Sequence, residues 1–411
     1  MEKRVFSKDT EKNTRLIGFL KTLMICTGTW SYHWTDNFML EKIYKYFSFF
    51  PLAVFAAFYF LLMMELLRVL IEQDKLDSFL LNLGVFLDAS KITIRFVFYF
   101  KNNVLRKFKD IMMDEQDIFE SQEPEVIQYY LKRAKSWRST LIFLYINTCL
   151  CSYGYMLVEI SDNILVNKKH KINNESVEPP FLYQIYFPNP DQNIIYIYWV
   201  NCFMVTFIIL AVNVSFAIST TCMVYGATQL EIFQFRLKHI HEVANKSYDG
   251  NIALTLKIYI QKHQKLISFI TDLNDCIRSV TLGEFLISSI NCASVVADIT
   301  KVNDIGLSAT YAGAYVLLLV AQIFTYASVA SEIKIQSAAI ADAIYECEWY
   351  NFDKSSQKMI NILQARAQKP LEMTIGPFGA MTNETAVMMM KACYSYVAFM
   401  KDSGVANTST E

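Results

Sequence analysis

The chain reads MTNETAVMMMKACYSYVAFMKD at residues 381–402, and this stretch constrains the whole molecule. A helix of about 20 residues rises 1.5 Å per residue and just spans the ~30 Å hydrocarbon core of a bilayer. This helix also carries Glu384, Lys391 and Asp402. Polar groups are tolerated at membrane depth chiefly where they face protein or water. The pattern therefore predicts a helix with one wet face, and several copies around an axis would form a pore.

The composition indicates an all-α membrane protein with several spans. Of the 411 residues, 53% are hydrophobic and 14% are aromatic, which is outside the range of soluble globular domains. The formal net charge of -1 is uninformative about nucleic acid, but the sequence has no basic stripe with interleaved aromatics, so we expect no nucleic-acid partner. The sequence has no paired catalytic constellation, metal-ligand cluster or cofactor motif, so we expect neither an enzyme nor a cofactor.

Seven apolar stretches are long enough to cross a bilayer. The second is weak because the charged residues Asp88, Lys91 and Arg95 lie in it. Asp88 and Lys91 have no His or second acid at the spacing of a catalytic motif, so they do not indicate an enzyme. The fifth continues an amphipathic pattern upstream, which predicts a helix that projects below the membrane. The predicted spans are 46–71, 77–100, 139–160, 193–222, 279–300, 306–331 and 381–402.

The distribution of Lys and Arg between the spans predicts the orientation. One side carries 27 of these residues and the other carries 5. Because basic residues concentrate on the cytosolic side, we expect a cytosolic N-terminus and, with seven spans, an extracellular C-terminus. Glycosylation is then possible at Asn174 and Asn407, the two acceptor motifs on the outer side.

The segments between the spans complete the predicted organisation. A cytosolic N-terminal segment, 1–45, precedes six transmembrane helices over 46–331. The outer loop 161–192 ends Pro-rich and aromatic, and we interpret it as a lid, with an interfacial aromatic belt as the alternative. Residues 223–278 form cytosolic helix extensions. The remaining segments are a cytosolic anchor helix and break at 332–380, the pore-lining helix at 381–402 and an extracellular tail at 403–411.

Four motifs near the C-terminus resemble the signature of insect odorant receptors. They are AIYECEWYN at Ala343–Asn351, QARAQKP at Gln364–Pro370, Asn383–Thr385 and KACYSY at Lys391–Tyr396. Their order and spacing match the family, and the seven spans extend the likeness by topology.

The resemblance implies a ligand-gated, non-selective cation channel of four subunits with a central pore lined by the last helix. It also implies a small volatile odorant bound in the outer half of each bundle, and a common insect co-receptor subunit as the partner in a heterotetramer. The expected location is the plasma membrane of a sensory neuron dendrite. The short segment at 223–265 and the residues Tyr394-Ser-Tyr396 are similar to odorant-tuning subunits rather than to the co-receptor.

Pore and interface residues follow from the helical wheel and the resemblance. Met388, Ala392, Ser395, Phe399 and Asp402 share one stripe. Phe399 aligns with the family's hydrophobic gate, and a ring of Asp402 carboxylates would concentrate cations. The alternative is that this stripe packs on a neighbouring span. Among the polar residues of 331–369, the candidate subunit-interface residues are Trp349, Tyr350 and Arg366.

The predicted sensing site is a dry, aromatic cavity, since a volatile ligand offers few hydrogen bonds. Each aromatic could instead be ordinary bundle packing. Tyr311 and Tyr315 are the firmest choices because tyrosines of the sixth span line the pocket in relatives. The full set of candidate odorant-binding residues is Leu83, Phe86, Ser152, Tyr155, Met156, Tyr196, Trp199, Phe203, Phe207, Tyr311 and Tyr315.

Two other receptor classes remain as alternatives. A gustatory-type receptor channel would share the fold and the pore. A seven-helix G-protein-coupled receptor would need an extracellular N-terminus, contrary to the charge distribution, and its usual motifs are missing.

Overall fold

The computed structural model describes most of the chain as α-helix. The described residues are 16–30, 37–72, 76–101, 104–121, 123–173, 194–301 and 307–402. Within them the α-helices are α1 (Gly18–Cys26), α2 (Phe38–Phe47), α3 (Phe49–Glu72), α4 (Leu76–Lys101), α5 (Lys107–Glu120), α6 (Pro124–Asn173), α7 (Ile194–Lys238), α8 (Ile240–Ser247), α9 (Ile252–Lys301), α10 (Leu307–Tyr345), α11 (Lys354–Ala367) and α12 (Asn383–Asp402).

Four of these helices are much longer than a bilayer is thick. Helices α6 and α9 have 50 residues each, which corresponds to ~75 Å at 1.5 Å per residue. Helices α7 and α10 have 45 and 39 residues. The amphipathic pattern upstream of the fifth predicted span forms one continuous helix with it, since α9 begins at Ile252.

The largest core lies where α7 packs against α10, with α6 and α9 beside them. From Val214 to Leu237, α7 is buried on nearly all sides. Helix α4 packs against α9 and α3, and α12 packs against α9 and α10. The N-terminal α1 also belongs to this core, because Leu20 and Met24 are buried where it contacts α7.

Three described helices are long and apolar enough to cross a membrane by length and composition alone: they lie within Phe38–Ile71, Trp199–Lys238 and Ala312–Tyr345. They correspond to the first, fourth and sixth predicted spans. Among the other predicted spans, α4 and α12 carry charged residues at their centres, such as Lys91 and Lys391.

Several predicted boundaries are wrong. Residues 161–173 of the predicted lid loop continue α6 as helix, and 174–192 lie outside the described residues. The first spanning helix is preceded by α2, which begins inside the predicted N-terminal segment and is separated from α3 by Ser48 alone. In the predicted anchor segment 332–380, the residues up to Tyr345 continue α10, and the separate helix is α11.

The predicted Pro/Gly break before the last helix is present and is held by hydrogen bonds. The backbone N–H of Gly376 donates to the carbonyl of Arg278 on α9 at 3.1 Å. Gly376 has φ 51°, and a Cβ there would lie 2.8 Å from a methyl carbon of Leu282. Only glycine accepts both this backbone angle and this close approach without strain. The turn therefore ties the start of α12 to α9.

The first turn of α12 is capped by two threonines. The N–H of Thr382 donates to Oγ1 of Thr385 at 2.8 Å, and the N–H of Thr385 donates back to Oγ1 of Thr382 at 3.3 Å. This reciprocal pair satisfies N–H groups that have no partner within the helix. The N–H of Asn383 also donates to Ser331 Oγ on α10, at 3.1 Å.

Candidate functional site

A buried network of ionisable side chains joins α4 to α9. The guanidinium of Arg95 on α4 forms an ion pair with the carboxylate of Glu284 on α9, and both side chains are buried. The ammonium of Lys91 lies 3.0 Å from Asp88 Oδ1 and 3.6 Å from Glu284 Oε1. Two cations therefore face two carboxylates, so the network carries no formal net charge. A buried charge is tolerated only when it is paired in this way.

Hydroxyl groups from three other helices complete this network. Lys91 Nζ donates to Ser288 Oγ on α9 at 3.4 Å, and Arg95 Nη1 donates to Ser215 Oγ on α7 at 3.0 Å. The phenol of Tyr315 on α10 donates to the Asp88 carboxylate. Four long helices thus meet at one polar layer in the bundle.

This network was missed in the sequence because its second acid is remote in the chain. Asp88 and Lys91 have no second acid at motif spacing in the sequence, and the tertiary structure supplies Glu284 from another helix. A signal was present, since an acid inside the fifth predicted span required a partner. Asp88, Lys91 and Arg95 on α4 were the natural candidates.

The predicted sensing residues fall into separate groups around this layer. Tyr315 joins α4 through Asp88. Met156 on α6 is buried against α7, where Cys202 Sγ lies 3.6 Å from its sulfur. Phe86 is half-buried and stacks on Tyr59 of α3, with ring centroids 5.2 Å apart.

The aromatic residues near the start of α7 are more exposed than a closed cavity requires. The rings of Phe203 and Phe207 are 4.8 Å apart, and both contact Phe50 of α3. Trp199 is 72% exposed. In the single chain, these three residues face outward or toward α3 rather than toward Tyr315.

Of the remaining candidate odorant-binding residues, two have described side chains and three do not. Leu83 and Ser152 are half-buried on α4 and α6. The side chains of Tyr155, Tyr196 and Tyr311 lie outside the described part of the chain, although their backbones are helical.

Helix α12 has one packed face and one face without a partner. Ala386 is buried, and Cys393 Sγ donates to the carbonyl oxygen of Ser289 on α9 at 3.6 Å. Met388, Ala392 and Ser395, from the predicted pore stripe, are all exposed. Lys391 is also exposed, so its ammonium is not buried in the bundle. The side chains of Phe399 and Asp402 lie outside the described residues.

The candidate interface residues have different surroundings. Trp349 is half-buried against the main core, whereas Tyr350 is exposed. Arg366 donates to the carbonyl oxygen of Lys369 at 3.0 Å, so it binds the chain just beyond the end of α11.

The predicted glycosylation sites Asn174 and Asn407 lie outside the described residues. Within the described residues, no group of three His, Cys, Asp or Glu side chains could hold a metal ion.

His263, which lies outside the predicted spans, has a strongly lowered pKa. The imidazole of His263 on α9 is buried and stacks on Phe233 of α7, with ring centroids 5.3 Å apart. Burial, together with the nearby Arg366 cation, lowers the pKa of His263 from 6.5 to about 4. Both causes disfavour the charged imidazolium. His263 is therefore neutral near pH 7.

Comparison with known proteins places these features in a protein family. The family model described as 7tm Odorant receptor matches residues 75–394. The chain is 27% identical over 187 residues to odorant receptor 10 of Aedes albopictus, covering 46% of this chain and 49% of that protein. It is 20% identical over 151 residues to the odorant receptor coreceptor of Ooceraea biroi, covering 37% and 32%. The alignments thus span at most about half the length of these relatives.

The fold also matches that of a solved structure. The insect olfactory receptor OR5 from Machilis hrabei in complex with eugenol superposes with a TM-score of 0.74, covering 96% of this chain and 100% of that one. The sequence identity is 14%, so this likeness concerns the fold alone.

Proposed function

The chain belongs to the insect 7tm odorant receptor family, and from this premise we propose that it is the odorant-tuning subunit of a ligand-gated, non-selective cation channel. It is a receptor rather than an enzyme. In the proposed assembly it forms a heterotetramer with co-receptor subunits in the plasma membrane of a sensory neuron dendrite. A small volatile binds within the bundle and opens a central pore.

The packing of α12 is the observation that carries this proposal. One side of the helix is packed against α9 and α10, while Met388, Ala392 and Ser395 are exposed in the single chain. A stripe of small, polar and flexible side chains suits a helix that faces water or other subunits around an axis. Phe399 as the gate and Asp402 as a cation-concentrating ring continue the same stripe.

The sensing role rests on the layer between α4, α9 and α10. Tyr315, one of the two firmest predictions, is hydrogen-bonded to Asp88, which is paired with Lys91. Lys91 is bonded in turn to Ser288 on α9, the helix that also contacts Cys393 of α12. A ligand that displaces Tyr315 therefore acts on a set of contacts that continues to the pore helix. Agonist must bind the open state more tightly than the closed state for this displacement to open the channel.

The proposal is tested by expressing the chain with and without an insect co-receptor and recording odorant-evoked currents under voltage clamp. We expect currents that reverse near 0 mV only when both subunits are present. Surface labelling of the chain establishes that silent cells carry the protein. An absence of current with every odorant, despite co-receptor and surface protein, contradicts the proposal.

The pore assignment is tested separately by the variant Asp402→Asn. Removing the carboxylate ring should lower the permeability of divalent relative to monovalent cations, as read from reversal potentials. Asp249→Asn makes the same charge change in an exposed turn with φ 51°, which asparagine accepts readily, so it is the matched control. Equal reversal potentials in the wild type and both variants exclude Asp402 from the conduction path.

A further inference from the structure

Two buried asparagines in the described residues leave both of their amide atoms without a hydrogen-bond partner. Asn291 on α9 is 3% exposed and Asn201 on α7 is 2% exposed. Buried amides normally bond to the backbone, as Asn213 does when its Nδ2 donates to the carbonyl of Ile209 at 2.8 Å. A buried donor and acceptor without partners cost free energy in the absence of a ligand or water. Such a group is therefore suited to bind something else.

Asn291 lies at the end of the polar layer, next to a glycine. On α9, Glu284, Ser288 and Asn291 follow one another at intervals of four and three residues and so share one face. Apart from the two neighbours of Gly84 in the chain and the nearby backbone of α4, Asn291 Oδ1 is the only described heavy atom within 4 Å of the position that a Cβ on Gly84 would occupy, at 3.8 Å. The amide thus borders nearly open space beside α4.

This space adjoins residues of the predicted sensing site. Leu83 precedes Gly84 in the chain, and Asp88, one turn further along α4, accepts the hydrogen bond from Tyr315. The unpaired amide therefore lies where α4 presents both an apolar side chain and the contact to Tyr315.

The charges nearby indicate which ligands this place can take. Asp88 and Glu284 are balanced by Lys91 and Arg95, so an ionic ligand would leave a buried charge without a counterion. An amide both donates and accepts, as a hydroxyl group does. A ligand hydroxyl can donate to Asn291 Oδ1 while its oxygen accepts from Nδ2. A methyl ether can only accept, and a hydrocarbon can do neither.

We propose that Asn291 is the polar contact of the sensing site and that it selects a neutral ligand carrying a hydroxyl group. This inference rests on the proposed function, because it names the ligand class at the same site. Gly84 is the residue that keeps the space beside the amide open, so its substitution by a larger residue closes that space.

The first test needs no channel current. Thermal unfolding of the purified full chain is measured without ligand and with 1-octanol, 2-phenylethanol or geraniol, and with the methyl ether of each alcohol. Without ligand, Asn291→Leu should melt at a higher temperature than the wild type, because a leucine of similar volume replaces an asparagine whose amide has no hydrogen-bond partner. Asn213→Leu is the control and should melt at a lower temperature than the wild type, since it removes an amide that is hydrogen-bonded to the carbonyl of Ile209. A lower melting temperature of ligand-free Asn291→Leu overturns the proposal.

The second test measures selectivity. At least one alcohol should stabilise the wild type at about a tenfold lower concentration than its methyl ether, as one net hydrogen bond predicts. Asn291→Leu should reduce this preference to less than threefold, and Asn213→Leu should retain it. Gly84→Ala, which adds a methyl group at ordinary contact distance from Asn291 Oδ1, should weaken alcohol binding without lowering the melting temperature of the ligand-free protein.

The outcomes separate this inference from the proposed function. An alcohol preference that survives in Asn291→Leu, or that disappears only in Asn201→Leu, overturns the assignment to Asn291. If the wild type binds none of the alcohols but still passes odorant-evoked current with the co-receptor, the hydroxyl selectivity is wrong and the channel function stands. If the alcohols bind with the expected preference but no odorant evokes current, the channel function fails and the ligand class stands.

Discussion

The two halves of α7 are packed in opposite ways. From Val214 onward the helix is enclosed by α6, α9 and α10, and Leu230 has no exposed surface. Before Val214 it carries the exposed rings of Trp199 and Phe203, and only small clusters such as Met156, Val205 and Ile209 form there. Among the described residues, the half of the bundle from Val214 onward is closely packed and is called the enclosed half; the other half, called the loosely filled half, holds only small clusters. A sensing cavity is compatible with the second kind of packing.

The buried polar side chains differ between the two halves in degree. In the enclosed half, Trp137 donates to Thr221 at 3.0 Å and Arg236 pairs with Glu123 at 2.8 Å, although single atoms such as Gln229 Nε2 have no described partner. Toward the loosely filled half, Asn201 and Asn291 each leave both amide atoms without a partner among the described residues. The network of Arg95 and Glu284 lies between the two. We therefore propose that the enclosed half mainly supports stability and that the loosely filled half responds to ligand.

Breaking the ion pair at the boundary should have the largest effect. Arg95→Met leaves the buried Glu284 carboxylate without its closest partner, which is expected to cost about 3–5 kcal/mol. The double variant Arg95→Met with Glu284→Leu removes both charges and should recover most of this loss. Melting of the detergent-purified protein measures both variants. A double variant as unstable as the single one contradicts the pairing.

A matched pair of leucine substitutions tests the packing difference itself. Leu230→Ala creates a cavity in the enclosed half and should destabilise the protein by about 3 kcal/mol. Leu317→Ala, at a position on α10 that is 71% exposed, should cost less than about 1 kcal/mol. The difference between their melting temperatures is the measurement. Equal losses would mean that the two halves are packed alike.

The enclosed half should also show a dependence of stability on pH through His263. Its pKa is 6.5 in the unfolded chain and about 4 in the folded protein, so the unfolded state binds more protons between these values. The stabilisation is complete above pH 6.5 and is lost as the pH falls toward 4, by at most about 3 kcal/mol. In His263→Phe this loss should be absent from melting curves recorded between pH 4 and 7.5. An identical pH profile in the variant would show that other groups cause the dependence.

The smallest predicted effect concerns the loosely filled half. Tyr315→Phe removes the hydroxyl that donates to Asp88 while keeping the ring. The half-maximal agonist concentration should change by about tenfold, because a hydrogen bond to a charged group contributes about 1.5 kcal/mol. Surface expression should stay at the wild-type level. An unaltered dose-response curve would remove this contact from the sensing pathway.

The helices themselves were largely predictable because they depend on local pattern. The last predicted span, 381–402, corresponds to α12, and the Thr382 to Thr385 cap and the Gly376 break follow from residue type. The continuation of α6 through residues 161–173 and of α10 to Tyr345 departs from the predicted boundaries. Both segments are polar, and packing against neighbouring helices can extend a helix beyond its apolar stretch.

The candidate site was less predictable, because its members come from remote parts of the chain. The sequence correctly marked Asp88, Lys91 and Arg95 as unusual for a span, but it did not show that Glu284 would face them. It also marked Tyr315, without indicating that its phenol would be bonded to Asp88. Aromatic content suggested Trp199 and Phe203 equally strongly, yet both are exposed in the single chain.

By itself, the sequence determined the helical class and the family, because helical periodicity and motif spacing are properties of neighbouring residues. The tertiary structure alone decided that Arg95 pairs with Glu284, 189 positions away, and that Asn291 has no hydrogen-bond partner among the described residues. The physical reason is that partners are chosen by which helix faces approach one another. That choice depends on the packing of all the long helices together, and no single stretch of the chain contains it.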